Sequence, residues 1–330
     1  MDDKWNHKIF SVDNTDFYPL ALEIFRFQYA NNPTYKAYTD ALNIDPEKVN
    51  TITQIPFLPI RFFKTHKIRT TLFEPQTIFE SSGTTGSTTS RHEIKNLAVY
   101  ERSFDEGFNR MYGSVKDWCV IGLLPSYLER KSSSLVYMVN KMIEQSNSPE
   151  SGFYLNEYNQ LQSILAALEK KKQKTLLIGV TFGLLDFADQ FSMHLEHTII
   201  METGGMKGRR KEMIRDEVHH LLKKSFGISS IHSEYGMTEL LSQAYSKDNG
   251  VFDCPPWMKI MIRDEDDPLR VNDIGDEEKA GIINVIDLAN IWSCSFIATD
   301  DAGKVFSNGS FEVQGRVDNS DIRGCNLLIA

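Results

Sequence analysis

Cysteine is scarce. Only Cys119, Cys254, Cys294 and Cys325 occur in 330 residues, and no two form a C-x-x-C pair. Their scatter excludes a zinc ribbon and suggests no disulfide framework, so free thiols are expected. Positive charge is in deficit: 36 Lys and Arg against 45 Asp and Glu leave a net −9. The two signs are mixed along the chain, which lacks the basic footprint of a duplex-binding protein, and no nucleic-acid partner is expected. No apolar run approaches the length of a membrane span. Met1-Asp2-Asp3-Lys4 has neither the basic nor the apolar region of a signal peptide, so the expectation is a cytoplasmic protein. What is present is 41% hydrophobic residues, ample for a core in one large or two medium domains.

The segment from Phe17 to Leu42 carries Leu20, Ile24, Phe27, Tyr35, Tyr38 and Leu42 at helical intervals, with Asn32-Pro33 expected to break it into two helices. Next, Ile55-Pro56-Phe57-Leu58-Pro59-Ile60 is held extended by its prolines and reads as a connection lying against the core or an acyl-binding wall. The β-prone Thr77-Ile78-Phe79-Glu80 then feeds into Ser81-Ser82-Gly83-Thr84-Thr85-Gly86-Ser87-Thr88-Thr89-Ser90. Glycines let backbone N–H groups approach an anion and hydroxyls add donors, so this is a candidate phosphate cradle; a flexible linker is the alternative. An amphipathic pattern through Ile94, Leu97, Phe104, Phe108 and Met111 predicts a helix directly after it. A strand-to-helix joint favours the cradle, because a helix N-terminus attracts phosphate.

Apolar strands are expected at 118–125, 176–180 and 198–201, alternating with helices at 135–143, 161–168, 184–191 and 211–224, followed by a strand at 229–233. This alternation predicts an α/β fold whose largely parallel sheet is covered by helices, with ligands at the strands' carboxyl ends. Glu202-Thr203-Gly204-Gly205-Met206 closes one such strand, and Glu234-Tyr235-Gly236-Met237-Thr238-Glu239 follows another. His219 and His220, inside the 211–224 helix, read as solvent-facing or satisfied surface residues without metal-ligand spacing.

Ser81-Ser82-Gly83-Thr84-Thr85-Gly86 and Tyr235-Gly236-Met237-Thr238-Glu239 resemble, in order and separation, two signature motifs of the adenylate-forming superfamily of acyl-CoA ligases and relatives. Phe296-Ile297-Ala298-Thr299-Asp300 resembles that family's strand ending in a ribose-binding aspartate, and Gly315-Arg316-Val317-Asp318 its hinge motif. Among the branches the chain looks most like the LuxE acyl-protein synthetases, long-chain-fatty-acid:protein ligases, on Ile-Pro-Phe-Leu-Pro-Ile before the loop, Glu-Thr-Gly-Gly in the middle, and Arg323-Gly324-Cys325-Asn326 near the end. The likeness covers about Thr53 to the last residue.

The resemblance implies an N-terminal-type adenylation domain over 51–318, preceded by a helical portion at 1–50 packed on it. It is followed at 319–330 by a short segment in place of the usual small C-terminal domain, which would otherwise carry a catalytic lysine. It implies ATP and Mg²⁺ as cofactors. Ser81 to Gly86 would supply donors to the phosphates, with Thr238 adding a contact and Glu239 holding the metal. Gly204, Gly205 and Met206 would line the adenine, with Tyr235 as its aromatic wall and Gly236 beside it. Asp300 would bind the ribose and Arg316 the ribose or a phosphate. His92 would polarise the carboxylate or place a phosphate, with a satisfied surface histidine as the alternative. Cys325 would take the acyl group and deliver it to a reductase partner; its alternative is a small buried hydrophobe. The substrate would be a fatty acid; Phe57, Phe62, Phe63, Phe182 and Leu184 are candidates to line an apolar acyl pocket, with membership of the core as the alternative for each. Two competing expectations are a phenylacetate-type acyl-CoA ligase and a non-catalytic binding or scaffold subunit.

Overall fold

The computed structural model describes residues 2–81, 88–124, 132–155, 157–204, 213–272 and 278–317. The chain divides into two compact units, one made of Met1–Ser103, Thr238–Ser242 and Asp253–Ala330, the other of Phe104–Met237 and Gln243–Phe252.

In the first unit, antiparallel strands run in the order Val271–Asn272, Met258–Arg263, Lys279–Asp287, Phe296–Val305 and Phe311–Arg316. The proline-rich Leu58–Pro59 pairs in parallel with Phe296–Val305, matching Leu58 to Ile297 and Pro59 to Ala298. Phe57 and Phe63 are buried, so this stretch belongs to the core. The helices Phe17–Asn31 and Pro33–Ala41 meet at Asn32, whose Oδ1 accepts the Tyr35 N–H at 3.0 Å as an N-cap. The Nδ2 of the same side chain donates to the Ser293 carbonyl at 2.9 Å, which fixes the break to the sheet. Phe25 and Tyr35 pack on Phe296 with ring centroids 6.3 and 6.2 Å away. Burying such side chains contributes about 1.5–3 kcal/mol each, against about 0–1 for exposed pairs such as Lys8–Glu23. Packing therefore anchors these helices.

In the second unit, parallel strands are ordered Gly152–Phe153, Cys119–Leu123, Thr175–Gly179, Thr198–Glu202 and His232–Tyr235, with Ala244–Ser246 antiparallel at the end. The helices Ser134–Gln145, Tyr158–Lys170, Thr181–Gln190 and Arg215–Phe226 alternate with the strands. Continuous apolar runs become fully buried parallel strands here, and Leu177, Phe187, Ile200, Leu222 and Phe226 sit in one core cluster. Gly227 ends the last helix in the left-handed conformation (φ 61°), its N–H bonded to the Lys223 carbonyl.

Several expectations are corrected. The Ser/Gly/Thr stretch does not join a strand to a helix: Thr77–Glu80 pairs antiparallel with Arg91–Ile94, so Ile94 is a strand residue and the helix begins only at Leu97. The strand Phe296–Val305 does not end at Asp300 but runs on through Asp301-Ala302-Gly303, with a register shift at Ala302/Gly303. His219 is buried, because it faces the Glu202 carboxylate. The strand expected at 229–233 lies at His232–Tyr235, and the helix expected from Lys211 is described from Arg215.

Candidate active site

The hairpin carries the first part of the site. At its loop end the Ser81 N–H donates to the Ser90 carbonyl at 3.1 Å, and the Ser90 N–H donates to Ser81 Oγ at 2.9 Å. The two ends of the Ser/Gly/Thr stretch are thus tied together; Ser82, Gly83, Thr84, Thr85 and Gly86 lie outside the described residues. Two positions on, His92 is buried edge-on to Phe63, with centroids 5.5 Å apart. Its Nδ1 is 2.8 Å from the Thr238 carbonyl oxygen. A carbonyl only accepts, so Nδ1 carries the proton. Burial lowers the imidazole to about 4, against the hydrogen bonds to Thr238 and Asn290, and the ring is neutral at physiological pH. It is not a surface histidine.

The segment after Thr238 is strapped at every step. Asn290 Nδ2 donates to the Glu239 carbonyl at 2.7 Å. The N–H groups of Leu241 and Ser242 donate to one oxygen of Asp287, at 2.8 and 3.0 Å, and the Ser242 hydroxyl donates to the other at 2.6 Å. Burial nevertheless pushes Asp287 up to about 6, so dehydration outweighs its hydrogen bonds. The Glu239 side chain is buried and hydrogen-bonded to Ser90; burial raises its pKa, while Arg316 and Lys64 favour the ionised form. A carboxyl pushed toward neutrality in this way is one that a divalent cation would return to its charged state. Among the described residues, no three His, Cys, Asp or Glu side chains group as a metal cluster. A cation here would take Glu239 together with water and phosphate oxygens, a donor set that suits Mg²⁺.

Asp300 and Asp301 point to opposite faces of their strand. Asp300 pairs with Arg61, Nε to Oδ2 at 3.0 Å, and Asp301 with Arg316, Nε to Oδ1 at 3.1 Å. Arg263 donates to the Thr299 carbonyl at 2.6 Å; burial lowers its pKa while Asp300 counteracts. Arg61, Asp287, Asn290 and Asp301 were not singled out as site residues from the sequence, since they belong to none of the matched motifs. Arg61, directly after the proline segment, was the one a polar residue in an apolar run could have flagged.

The remaining site residues lie in the second unit. Gly204 adopts φ +76° where the strand Thr198–Glu202 ends, its N–H 3.2 Å from the Glu202 carboxylate. Burial works against ionising Glu202, but His219 and Thr181 overcome it and hold its pKa low. Gly205 and Met206 lie outside the described residues. Tyr235 is buried with its ring 5.9 Å from Phe252, and Gly236 next to it is exposed. Of the cysteines, Cys119, Cys254 and Cys294 are all raised by burial, Cys294 to about 12, which makes them poor nucleophiles. Cys325 is outside the described residues. Among the described residues no helix is long and apolar enough to cross a membrane.

The architecture is that of the adenylate-forming enzymes. ATP-bound MatB from Rhodopseudomonas palustris superposes with a TM-score of 0.54 at 15% identity over 72% of this chain and 47% of that one. A 2-hydroxyisobutyryl-CoA ligase in the postadenylation state with 2-HIB-AMP gives 0.66 at 9% identity over 93% and 68%. The chain thus spans about half the length of MatB. No curated protein matches it. The profile of the family described as acyl-protein synthetase, LuxE, matches residues 14–330, and the chain belongs to that family.

Proposed function

We propose that this protein activates a carboxylic acid, a fatty acid in the first instance, with ATP and Mg²⁺, and transfers the acyl group to the Cys325 thiol. A carboxylate oxygen attacks the α-phosphorus of ATP, the bond to the β-phosphate oxygen breaks, and pyrophosphate leaves with the electron pair. The Cys325 thiolate then attacks the acyl carbon, and AMP leaves with its oxygen. The acylated protein would hand its cargo to a reductase or another acceptor protein in the cytoplasm.

The observation that carries this reading is the bond from His92 to the Thr238 carbonyl, which joins the hairpin of the Ser/Gly/Thr stretch to the Thr238-Glu239 segment. Beside that segment the Ser90 hydroxyl is hydrogen-bonded to the buried Glu239 carboxyl, and a hydroxyl next to a carboxyl suits a polyphosphate with its cation. Residues Ser81, Ser82, Gly83, Thr84, Thr85 and Gly86 would bind phosphate, with Thr238 adding a hydroxyl and Glu239 holding Mg²⁺. When bound, that ion would neutralise phosphate charge during the displacement. Gly204, Gly205, Met206, Tyr235 and Gly236 would receive the adenine, and Asp300 and Arg316 the ribose and a phosphate. His92, neutral and buried, would position Thr238.

The test is ATP–pyrophosphate exchange with a panel of carboxylic acids, followed by intact-mass measurement. Exchange with at least one acid and a covalent acyl adduct that disappears in Cys325→Ala are expected. Absence of exchange with every acid would overturn the reading in favour of a non-catalytic subunit. Product formation that requires CoA and survives Cys325→Ala would replace the thiol acceptor with CoA.

A further inference from the structure

The last residue of the strand Thr198–Glu202 brings a carboxylate to the turn at Gly204 and ties it to two helices. Oε1 of Glu202 accepts the Gly204 N–H at 3.2 Å and the Thr181 hydroxyl at 2.5 Å, from the first residue of the helix Thr181–Gln190. Oε2 faces Nε2 of His219 at 3.5 Å, from the helix Arg215–Phe226. The two side chains are only 13% and 7% accessible, and that imidazole nitrogen has no hydrogen-bond partner among the described residues. Backbone bonds close the same turn: the Thr181 N–H donates to the Gly204 carbonyl and the Thr203 N–H to the Gly179 carbonyl, both at 3.0 Å. Burial opposes a charge on Glu202, yet His219 and Thr181 prevail, and a helix start favours an anion. The far side of the turn is open. Gly204 holds φ +76°, and a Cβ built on it would meet no described atom within 4 Å. The turn thus has a charged, buried anchor behind it and bare backbone in front, where a flat ligand can lie close.

We infer that Glu202 is a positioning residue for nucleotide binding: through the Gly204 N–H it sets the turn against which the base rests, while Thr181 and His219 hold Glu202 itself in place. The inference rests on the adenylation reading, which puts the adenine at Gly204. Glu202 touches no part of the nucleotide in this arrangement and acts only through the backbone it fixes. Truncating it releases the Gly204 N–H and the Thr181 hydroxyl together and leaves His219 without its charged partner. The phosphate donors belong to the Ser/Gly/Thr stretch, so the effect falls on the base end of the ligand alone.

The experiment measures binding of ATP with Mg²⁺, and of AMP, to the full-length protein by titration calorimetry, and the KM for pyrophosphate in the exchange reaction. Glu202→Ala is expected to weaken ATP and AMP alike by about tenfold or more, with the KM for pyrophosphate unchanged. Glu202→Gln keeps an oxygen for Gly204 and Thr181 and should recover most of that loss. Thr181→Val, a milder change that keeps the fold if Glu202→Ala does not, should weaken both nucleotides by about threefold. Variants of wild-type circular dichroism that bind both nucleotides as wild type does overturn the inference. So does a loss that extends equally to pyrophosphate, which would make Glu202 structural only. A wild type that neither binds nucleotide nor exchanges pyrophosphate overturns the adenylation reading and this inference with it, whereas failure confined to the variants leaves that reading standing.

Discussion

The Nδ1–H of His92 donates to the carbonyl oxygen of Thr238 at 2.8 Å, across 146 positions of sequence. This contact fixes the hairpin to the Thr238-Glu239 segment. His92→Ala leaves the carbonyl unmet and opens a cavity beside Phe63, and is expected to cost about 2–4 kcal/mol in urea unfolding and to raise the ATP KM. His92→Asn, whose Nδ2 can stand in for Nδ1, should recover much of both. Equal loss in Ala and Asn would show that the ring's volume alone matters.

The same histidine makes stability acid-sensitive. Its folded pKa is depressed to about 4 from an ordinary value near 6.5, so the unfolded chain binds the proton first on acidification. Its contribution is complete above about pH 6.5 and is lost as pH falls toward 4, by at most about 1.4 kcal/mol per pH unit. Unfolding midpoints measured across this window should show a slope that is shallower in His92→Asn.

Glu239 trades stability for function. Its pKa is raised, so it favours folding below the ordinary carboxylate value and that contribution is lost as pH rises. Glu239→Gln is therefore expected to be more stable than wild type at neutral pH, with the difference vanishing in acid, while pyrophosphate exchange falls by about a hundredfold and its Mg²⁺ requirement rises. Exchange unchanged at limiting Mg²⁺ would refute the metal assignment.

Asp287 collects donors from Leu241, Ser242 and Ala289 in the interior. Asp287→Ala strands them and should cost about 3 kcal/mol or more, among the largest losses from any single site residue. Denaturant titration checks this; a loss under about 1 kcal/mol would mean that water replaces the carboxylate.

Arg61 and Asp300 form a half-exposed pair, with side chains 48% and 33% accessible. Such a pair contributes only about 0–1 kcal/mol to folding. Arg61→Ala should therefore leave stability nearly unchanged yet raise the ATP KM several-fold, because the carboxylate proposed to bind the ribose loses its orientation. A stability loss without a KM change would make the pair purely structural.

Much of the second unit was legible from its residues. Cys119–Leu123, Thr175–Gly179 and Thr198–Glu202 are continuous apolar runs, and such runs have few alternatives to a buried parallel strand. The hairpin was not legible. Arg91-His92-Glu93-Ile94 reads as the polar start of a helix, yet His92 and Glu93 are buried because Thr238 and Arg69 lie opposite them. Likewise Asp300-Asp301-Ala302-Gly303 has turn composition but is held as strand by neighbours on both sides and by ion pairs to Arg61 and Arg316.

Motif order alone determined the family and the candidate residues from Ser81 to Arg316, because those signals are local in the chain and need no partner to be read. The tertiary structure decided which of them meet and in what charge state: a neutral His92 on Thr238 and a buried Glu239 beside Ser90. Desolvation and long-range hydrogen bonds set those states, and both depend on atoms distant in sequence, which no periodicity records.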